Sequence, residues 1–269
     1  MIGYVGLSHL GLVSSIVAAS KGYKVVAYDP DSELCRCLGE EQLNVSEPGL
    51  NDLLSSHKAD IKFTSDKTYL AQCQIVYISL DVPTNDEGAS DLGAINRLID
   101  DILPNLSENT CLVILSQVPP GFNSEMYESR ISILKSLNIS LFHQVETLVF
   151  GQAVDRSANP ERIIIGSSDR TQVLPTDYAH FLATFGCPLF LMSYQSAELT
   201  KASINMFLVS SVTATNTLAE ICESLGADWR EIAPALKSDR RIGQYAYLAP
   251  GLGLSGGNLE RDMATLSSI

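Results

Sequence analysis

Residues 1–29 read MIGYVGLSHLGLVSSIVAASKGYKVVAYD. A short apolar run, Met1–Val5, meets a glycine-framed turn, Gly6-Leu7-Ser8-His9-Leu10-Gly11. A helix-like stretch, Gly11–Lys21, follows, and a second apolar run, Lys24–Tyr28, ends at Asp29. The turn is close to G-x-G-x-x-G, the fingerprint that receives the pyrophosphate of a dinucleotide. Its first glycine permits a tight turn and its third permits close helix–strand packing. The second, which lets the backbone approach the pyrophosphate, is replaced by Ser8. Serine is small, and its hydroxyl can be offered to a phosphate, so the loop can still work. His9 and Leu10 complete the turn. Asp29 sits where an acidic side chain takes the adenosine ribose hydroxyls and repels a 2′-phosphate. Pro30 and Asp31 follow it, with no arginine, which favours NAD over NADP.

Outward from this unit, apolar runs alternate with helix-like stretches. Strands are predicted at Ile61–Thr64, Gln74–Leu80, Thr110–Ser116, Leu141–Phe150 and Arg162–Gly166. Helices are predicted over 31–39, Leu92–Leu106 and Ser124–Leu137. This order predicts an α/β fold, a Rossmann-type parallel sheet covered by helices on both faces. The pattern changes near residue 190. Ser193–Ser224 is one long helical pattern almost free of breakers. A second helix over Asp228–Lys237 and a glycine-rich stretch, Tyr245–Gly257, follow. The expected domains are therefore 1–190, dinucleotide-binding, and 191–269, all-helical with a glycine-rich active-site loop.

Composition narrows the function. The 269 residues carry a net charge of −13, which opposes gripping nucleic-acid phosphates or an anionic membrane surface. The N-terminus lacks the basic region of a signal peptide, and no apolar run reaches the roughly 20 residues of a membrane span. Six scattered cysteines, with one C-x-C at Cys35/Cys37, read as reduced thiols and not as disulfides or a zinc site. The histidines show no metal spacing. A cytoplasmic setting is expected. Trp229 and the Tyr245/Tyr247 pair are expected to be packing residues.

Several strings become recognisable together: IGYVGLSHLGL, VVAYDPD, EPGL (Glu47–Leu50), DVPTNDEGASDL (Asp81–Leu92), SQVPPG (Ser116–Gly121), PERIIIG (Pro160–Gly166), AELTKASINMFL (Ala197–Leu208), RRIG (Arg240–Gly243) and PGLGLSGGNLERD (Pro250–Asp262). In order and spacing the chain resembles the UDP-glucose/GDP-mannose dehydrogenase family over residues 1–262. The resemblance implies an NAD-binding Rossmann domain and a long central helix that builds a homodimer. It also implies a C-terminal domain that binds the nucleotide of a nucleotide sugar, a small-molecule substrate. The implied reaction oxidises the sugar 6-alcohol to an acid in two hydride transfers through a cysteine-linked thiohemiacetal. In its register Val82, Gln117 and Arg261 fall at cofactor positions, and Glu146, Gln152, Arg241 and Gly253 at substrate positions. Arg241 is implied to reach the substrate across the dimer. A place in polysaccharide biosynthesis rests on the resemblance alone.

The departures from the family pattern bear on the reaction. The position of the catalytic cysteine is Asn258, and an amide cannot form a thiohemiacetal. The threonine of the family's S-T-V-P is Gln117, and the second glutamate of its P-E-F-L-R-E-G is Phe150. His9 stands where the family usually has tyrosine. The nucleotide-sugar-binding domain is not among these residues. Lys201 and Asn205 are retained, at i and i+4 on one helix face, as is Asp262, which can orient Lys201 or a water. An ammonium and an amide aimed at one oxygen stabilise an alkoxide while hydride leaves its carbon. The same K-x-x-x-N pair resembles that of the β-hydroxyacid dehydrogenases. The expected function is an NAD-dependent, two-electron alcohol/carbonyl interconversion on a sugar nucleotide or a related hydroxylated substrate, with Asn258 assisting Lys201, Asn205 and Asp262. The alternative is a catalytically silent NAD-binding protein that regulates or scaffolds a partner.

Overall fold

The computed structural model describes residues 1–83, 90–146, 148–169, 171–251 and Met263. Two compact units divide the chain. The first comprises Met1–Pro83 and Ser90–Leu199, and the main part of the second begins at Thr200.

The first unit is an eight-stranded sheet flanked by helices. In chain order its elements are β1 (Ile2–Val5), α1 (His9–Ser20), β2 (Val25–Tyr28), α2 (Ser32–Gly39), α3 (Leu50–His57), β3 (Ile61–Thr64) and β4 (Ile75–Ile78). Then come α4 (Gly93–Ile102), β5 (Cys111–Ile114), α5 (Phe122–Ser129), α6 (Ile131–Ser136), β6 (Ser140–Gln144), α7 (Ala153–Ala158), β7 (Ile163–Ser167), α8 (Thr176–Ala183) and β8 (Leu189–Ser193). The strand order is β3-β2-β1-β4-β5-β6-β7-β8. Every pair is parallel except β6–β7, which pairs antiparallel over His143↔Gly166 and Gln144↔Ile165.

The period-two alternation of the central strands sorts their side chains onto two faces. Tyr4, Val25, Ala27, Tyr77 and Val113 join one core with α1 and α8. Val5, Val26, Tyr28, Val76, Ile78 and Ile114 join the other, with α4 and α5. Strands covered on both faces are apolar at nearly every position, and this is why they read as continuous runs rather than alternating ones.

Three expectations need correction. The helix over Ser124–Leu137 is two, α5 and α6, interrupted at Arg130 (φ −117°, ψ 14°). The Arg130 side chain holds the break by donating to Asp100 at 2.7 Å and to Asn96 Oδ1 at 3.0 Å, both on α4. The strand over Leu141–Phe150 ends at Gln144. Gln144 Oε1 accepts from the hydroxyls of Tyr77 (3.0 Å) and Tyr178 (3.1 Å), and the chain then leaves the sheet. The third correction concerns the Tyr245/Tyr247 pair, whose side chains are exposed, Tyr245 at 91%. Trp229 does pack, and its Nε1 donates to Leu248 O at 2.9 Å.

His143 is buried on β6, an interior strand of the sheet, with Nδ1 3.0 Å from Ile114 O. Burial pulls its pKa down to about 4. The folded state keeps the ring neutral while the unfolded chain protonates it near 6.5, so stability falls as pH drops from about 6.5 to about 4. The loss from this one group is about 3 kcal/mol. His143→Gln should therefore lose less melting temperature between pH 7 and pH 4.5 than the parent, and equal losses would contradict the assignment.

α9 (Tyr194–Leu225) begins in the first unit and continues into the second, where α10 (Trp229–Ser238) follows. In the first unit, the buried Glu198 carboxylate accepts from the amides of Gly121 (2.7 Å) and Asn123 (3.0 Å) and from Asn123 Nδ2 (2.7 Å). This ties the first turns of α9 to the N-terminus of α5. Among the described residues no helix is long and apolar enough to cross a membrane, and no cluster of three metal-ligating side chains occurs. All six cysteines are free. Burial pushes the Cys73 thiol up to about 12 and raises Cys35, Cys111 and Cys187 as well. These are inert thiols, the opposite of an activated nucleophile.

Candidate functional site

The strand order reverses between the parallel strands β1 and β4, whose following helices pack on opposite faces. In an open α/β sheet this switch point, at the carboxyl ends of the strands, is where a ligand crevice opens. The Gly6–Gly11 loop lies there. Gly6 has φ +89°, a region closed to most side chains. An added Cβ on Gly11 would stand 1.9 Å from Gly6 O and 2.7 Å from Ser79 Oγ, so only glycine lets α1 sit this close to β1. Ser79 at the end of β4 donates its hydroxyl to Gly6 O at 3.0 Å and completes the contact.

α1 starts without a side-chain cap. The amides of its first turn, His9 to Gly11, therefore point out of the helix with no side-chain acceptor. The positive end of the helix dipole is open to an anion, as a pyrophosphate requires. The Ser8 hydroxyl does not point there. It accepts from Asp81 N at 2.8 Å and donates to Ser79 O at 3.4 Å, pinning the loop to the end of β4. Main-chain amides, and not this hydroxyl, are the donors left for a phosphate.

Asp29 ends β2 and is buried. One carboxylate oxygen accepts from Leu7 N at 2.8 Å and the other from Asp31 N at 3.0 Å. Each oxygen keeps a lone pair, so the carboxylate is fixed in place and can still accept from a ribose hydroxyl. Asp29→Ala is expected to weaken NAD binding about ten- to a hundredfold and to lower stability by about 1–3 kcal/mol through the stranded Leu7 amide. Titration calorimetry and thermal melting would measure the two effects.

His9 is tied down differently from the expectation of a simple loop residue. Its Nε2 lies 2.9 Å from Glu47 Oε1, and its ring stacks on Phe150 with centroids 4.6 Å apart. Glu47 also accepts from the amides of Gly151 (3.1 Å) and Ala153 (3.2 Å) at the start of α7. Burial pushes the Glu47 carboxyl up, but the bonds from Gly151, His9 and Ala153 outweigh it and hold the pKa below the usual carboxylate range. One buried carboxylate thus joins the dinucleotide turn to the loop after β6. Phe150 closes over His9 where the family resemblance implies a glutamate.

The other sequence-predicted residues are spread over both units. Leu10 and Val82 are buried, and Gln117 follows β5. Glu146 lines a small cavity of about 60 Å³ with Tyr77, Gln144, Arg156 and Arg162. Gln152 is the exposed residue before α7. In the second unit Asn205 is buried and Lys201 half-buried, one turn apart on α9. Arg241 is exposed and pairs with Asp239 at 2.7 Å. Gly253, Asn258, Arg261 and Asp262 lie outside the described residues.

Two residues gain a role that sequence reasoning missed. Glu47 lies in the EPGL string, but its partners are 38 and more positions away, which no local spacing reveals. The other is Asn216. Its Nδ2 donates to Gly251 O (2.9 Å), and its Oδ1 accepts from Gly251 N (3.0 Å). Eleven positions along a helix is just over three turns, so Asn216 shares its face of α9 with Asn205. The segment that enters the glycine-rich stretch is thus anchored on the face that carries Lys201 and Asn205.

The UDP-glucose/GDP-mannose dehydrogenase family, NAD binding domain, matches residues 1–181, and the central domain of the same family matches residues 195–269. The chain belongs to the UDP-glucose/GDP-mannose dehydrogenase family. It is 30% identical over 260 residues to a UDP-glucose 6-dehydrogenase of Rhizobium meliloti, covering 94% of this chain and 60% of the relative. It is 27% identical to the putative UDP-glucose 6-dehydrogenase YtcA of Bacillus subtilis, covering 97% of this chain and 61% of that protein. The chain therefore spans about three fifths of the length of these relatives. Among solved structures it is similar to a UDP-glucose dehydrogenase from Pyrobaculum islandicum. That match has a TM-score of 0.84 at 25% identity and covers 99% of this chain and 63% of the other.

Proposed function

We propose that this chain is an NAD-dependent oxidoreductase that interconverts an alcohol and a carbonyl on a sugar nucleotide or a related hydroxylated substrate, in a single two-electron step. The observation that carries the reading is the crevice at the β1/β4 switch point: an uncapped α1 N-terminus beside a buried, doubly anchored Asp29. The residues fit NAD. First-turn amides of α1 would receive the pyrophosphate and Asp29 the adenosine ribose, with Val82 and Gln117 toward the nicotinamide half. When bound, NAD supplies the hydride acceptor. Lys201 and Asn205 stabilise the reacting oxygen, and Lys201 takes its proton. Asp262 orients Lys201, and Asn258 adds an amide where a thiol would make a covalent intermediate.

The second oxidation, aldehyde to acid, lacks its groups. No cysteine stands at position 258, and burial raises the thiols of Cys35, Cys73, Cys111 and Cys187. Phe150 stacks on His9 where a carboxylate would handle water. We also assign to this reading Glu146, Gln152, Gly253 and Arg241 on the substrate, Arg261 near the cofactor, a homodimer built on α9, a cytoplasmic setting and a domain boundary near residue 190. The test is NADH formation over a panel of nucleotide sugars and hydroxy acids. Turnover with at least one supports the reading. Tight NAD binding with no turnover across the panel would favour the silent regulatory partner.

A further inference from the structure

A cavity of about 320 Å³ opens at the adenosine end of the crevice, lined by Asp29, Pro30, Leu80, Ala94, Arg97, Leu98 and Asp101. Its walls are of two kinds. Pro30, Leu80, Ala94 and Leu98 are apolar and suit a flat, weakly solvated base. Asp29 stands at the side where a ribose would lie. Arg97 is the cation among the lining residues, and it is exposed on α4.

The position of Arg97 is set by the helix. Side chains on a helix lean toward its N-terminus. The Arg97 guanidinium lies back over the first turn, where a Cβ added to Gly93 would be 3.2 Å from its Nη1. A larger residue at 93 would push it away. Neither acid of the cavity claims it. Asp101 is engaged by Lys67 and by the Tyr28 hydroxyl at 3.4 Å. Asp29 is taken by its two main-chain amides. The planar group thus stands at an apolar slot, with its face uncommitted.

We propose that Arg97 is the residue that recognises the adenine of the cofactor, its guanidinium plane stacking on the base against Leu80 and Leu98. This rests on the NAD-binding reading above. An arginine near this site has a second possible use, pairing with the 2′-phosphate of NADP. The charges oppose that use. A 2′-phosphate would meet the fixed carboxylate of Asp29 at the ribose, and the Asp101 carboxylate beyond it is already paired with Lys67. A neutral base meets no such penalty and gains a cation–π contact.

The experiment is titration calorimetry on the full chain with NAD, NADP, AMP and nicotinamide mononucleotide, for the parent, Arg97→Ala and Arg97→Lys. Parent NAD binding is expected, with NADP at least about tenfold weaker. Arg97→Ala is expected to weaken NAD and AMP by the same factor, about tenfold, and to leave nicotinamide mononucleotide unchanged. Arg97→Lys keeps the charge without the plane and is expected to remain close to Arg97→Ala. Unchanged NAD and AMP binding in Arg97→Ala overturns the inference and leaves the NAD reading intact. So does a loss confined to NADP, or full recovery with lysine, which would make Arg97 a point charge on a phosphate. Failure of the parent to bind NAD at all would overturn the NAD reading itself.

Discussion

Lys201→Ala is expected to lower turnover by about two to four orders of magnitude, the range for removing a positioned acid–base group, with NAD affinity unchanged. Lys201 lies on α9, outside the unit that holds the dinucleotide loop and Asp29. Alanine is the best helix former, so α9 persists. In the proposed reaction the substitution removes the ammonium that would take the proton and offset the developing alkoxide charge. Asn205→Ala should act in the same direction with a smaller effect on rate, because an amide donates one neutral hydrogen bond. It also removes a buried polar side chain. A Lys201→Ala protein that binds NAD and turns over at the parental rate would remove this residue from the mechanism.

The second large effect is on folding. Gly11→Ala is expected to destabilise the first unit by about 3 kcal/mol or more, the upper part of the range for overpacking. At this domain size that corresponds to a melting temperature lower by roughly 6–12 °C. The added methyl would stand 1.9 Å from Gly6 O and 2.7 Å from Ser79 Oγ. Neither is the far end of a flexible chain, so α1 must move away from β1. Moving α1 also displaces the amides offered to the pyrophosphate, and NAD binding should fall with stability. Gly39→Ala is the matched control. Nothing lies within 4 Å of its new Cβ, and its melting should stay within about 0.5 kcal/mol of the parent. Equal behaviour of the two variants would show that the close contact of α1 with β1 is not what Gly11 serves.

The part of this molecule legible in the sequence is the part with local causes. Gly6, Gly11 and Asp29 are set within one strand–turn–helix–strand unit, and the buried strands announce themselves as apolar runs. What escaped has non-local causes. The break between α5 and α6 carries no proline or glycine; Arg130 makes it by reaching Asp100 and Asn96 on another helix. The end of β6 is set by two tyrosine hydroxyls on Gln144, one of them 67 positions away. α3 and α7 are short, and their apolar residues are too few to show a period.

The site divides in the same way. The fingerprint pointed to a phosphate contact for Ser8, but its hydroxyl is spent on Ser79 and Asp81. The His9–Glu47 pair and the Phe150 stack join segments far apart in the chain, and Arg97 enters the crevice from α4. Departures at Gln117, Phe150 and Asn258 were visible only because the family register supplied something to depart from. Of these, Phe150 is the one whose surroundings the structure now gives an account of.

The central claim is that oxidation stops after one hydride. The most direct measurement is the ratio of NADH formed to substrate consumed, with the mass of the product, for a nucleotide sugar that turns over. The account predicts one NADH per substrate and a product two mass units lighter, a carbonyl. Two NADH and a carboxylic acid would contradict it, and would mean that Asn258 and Phe150 do not mark the loss of the second step.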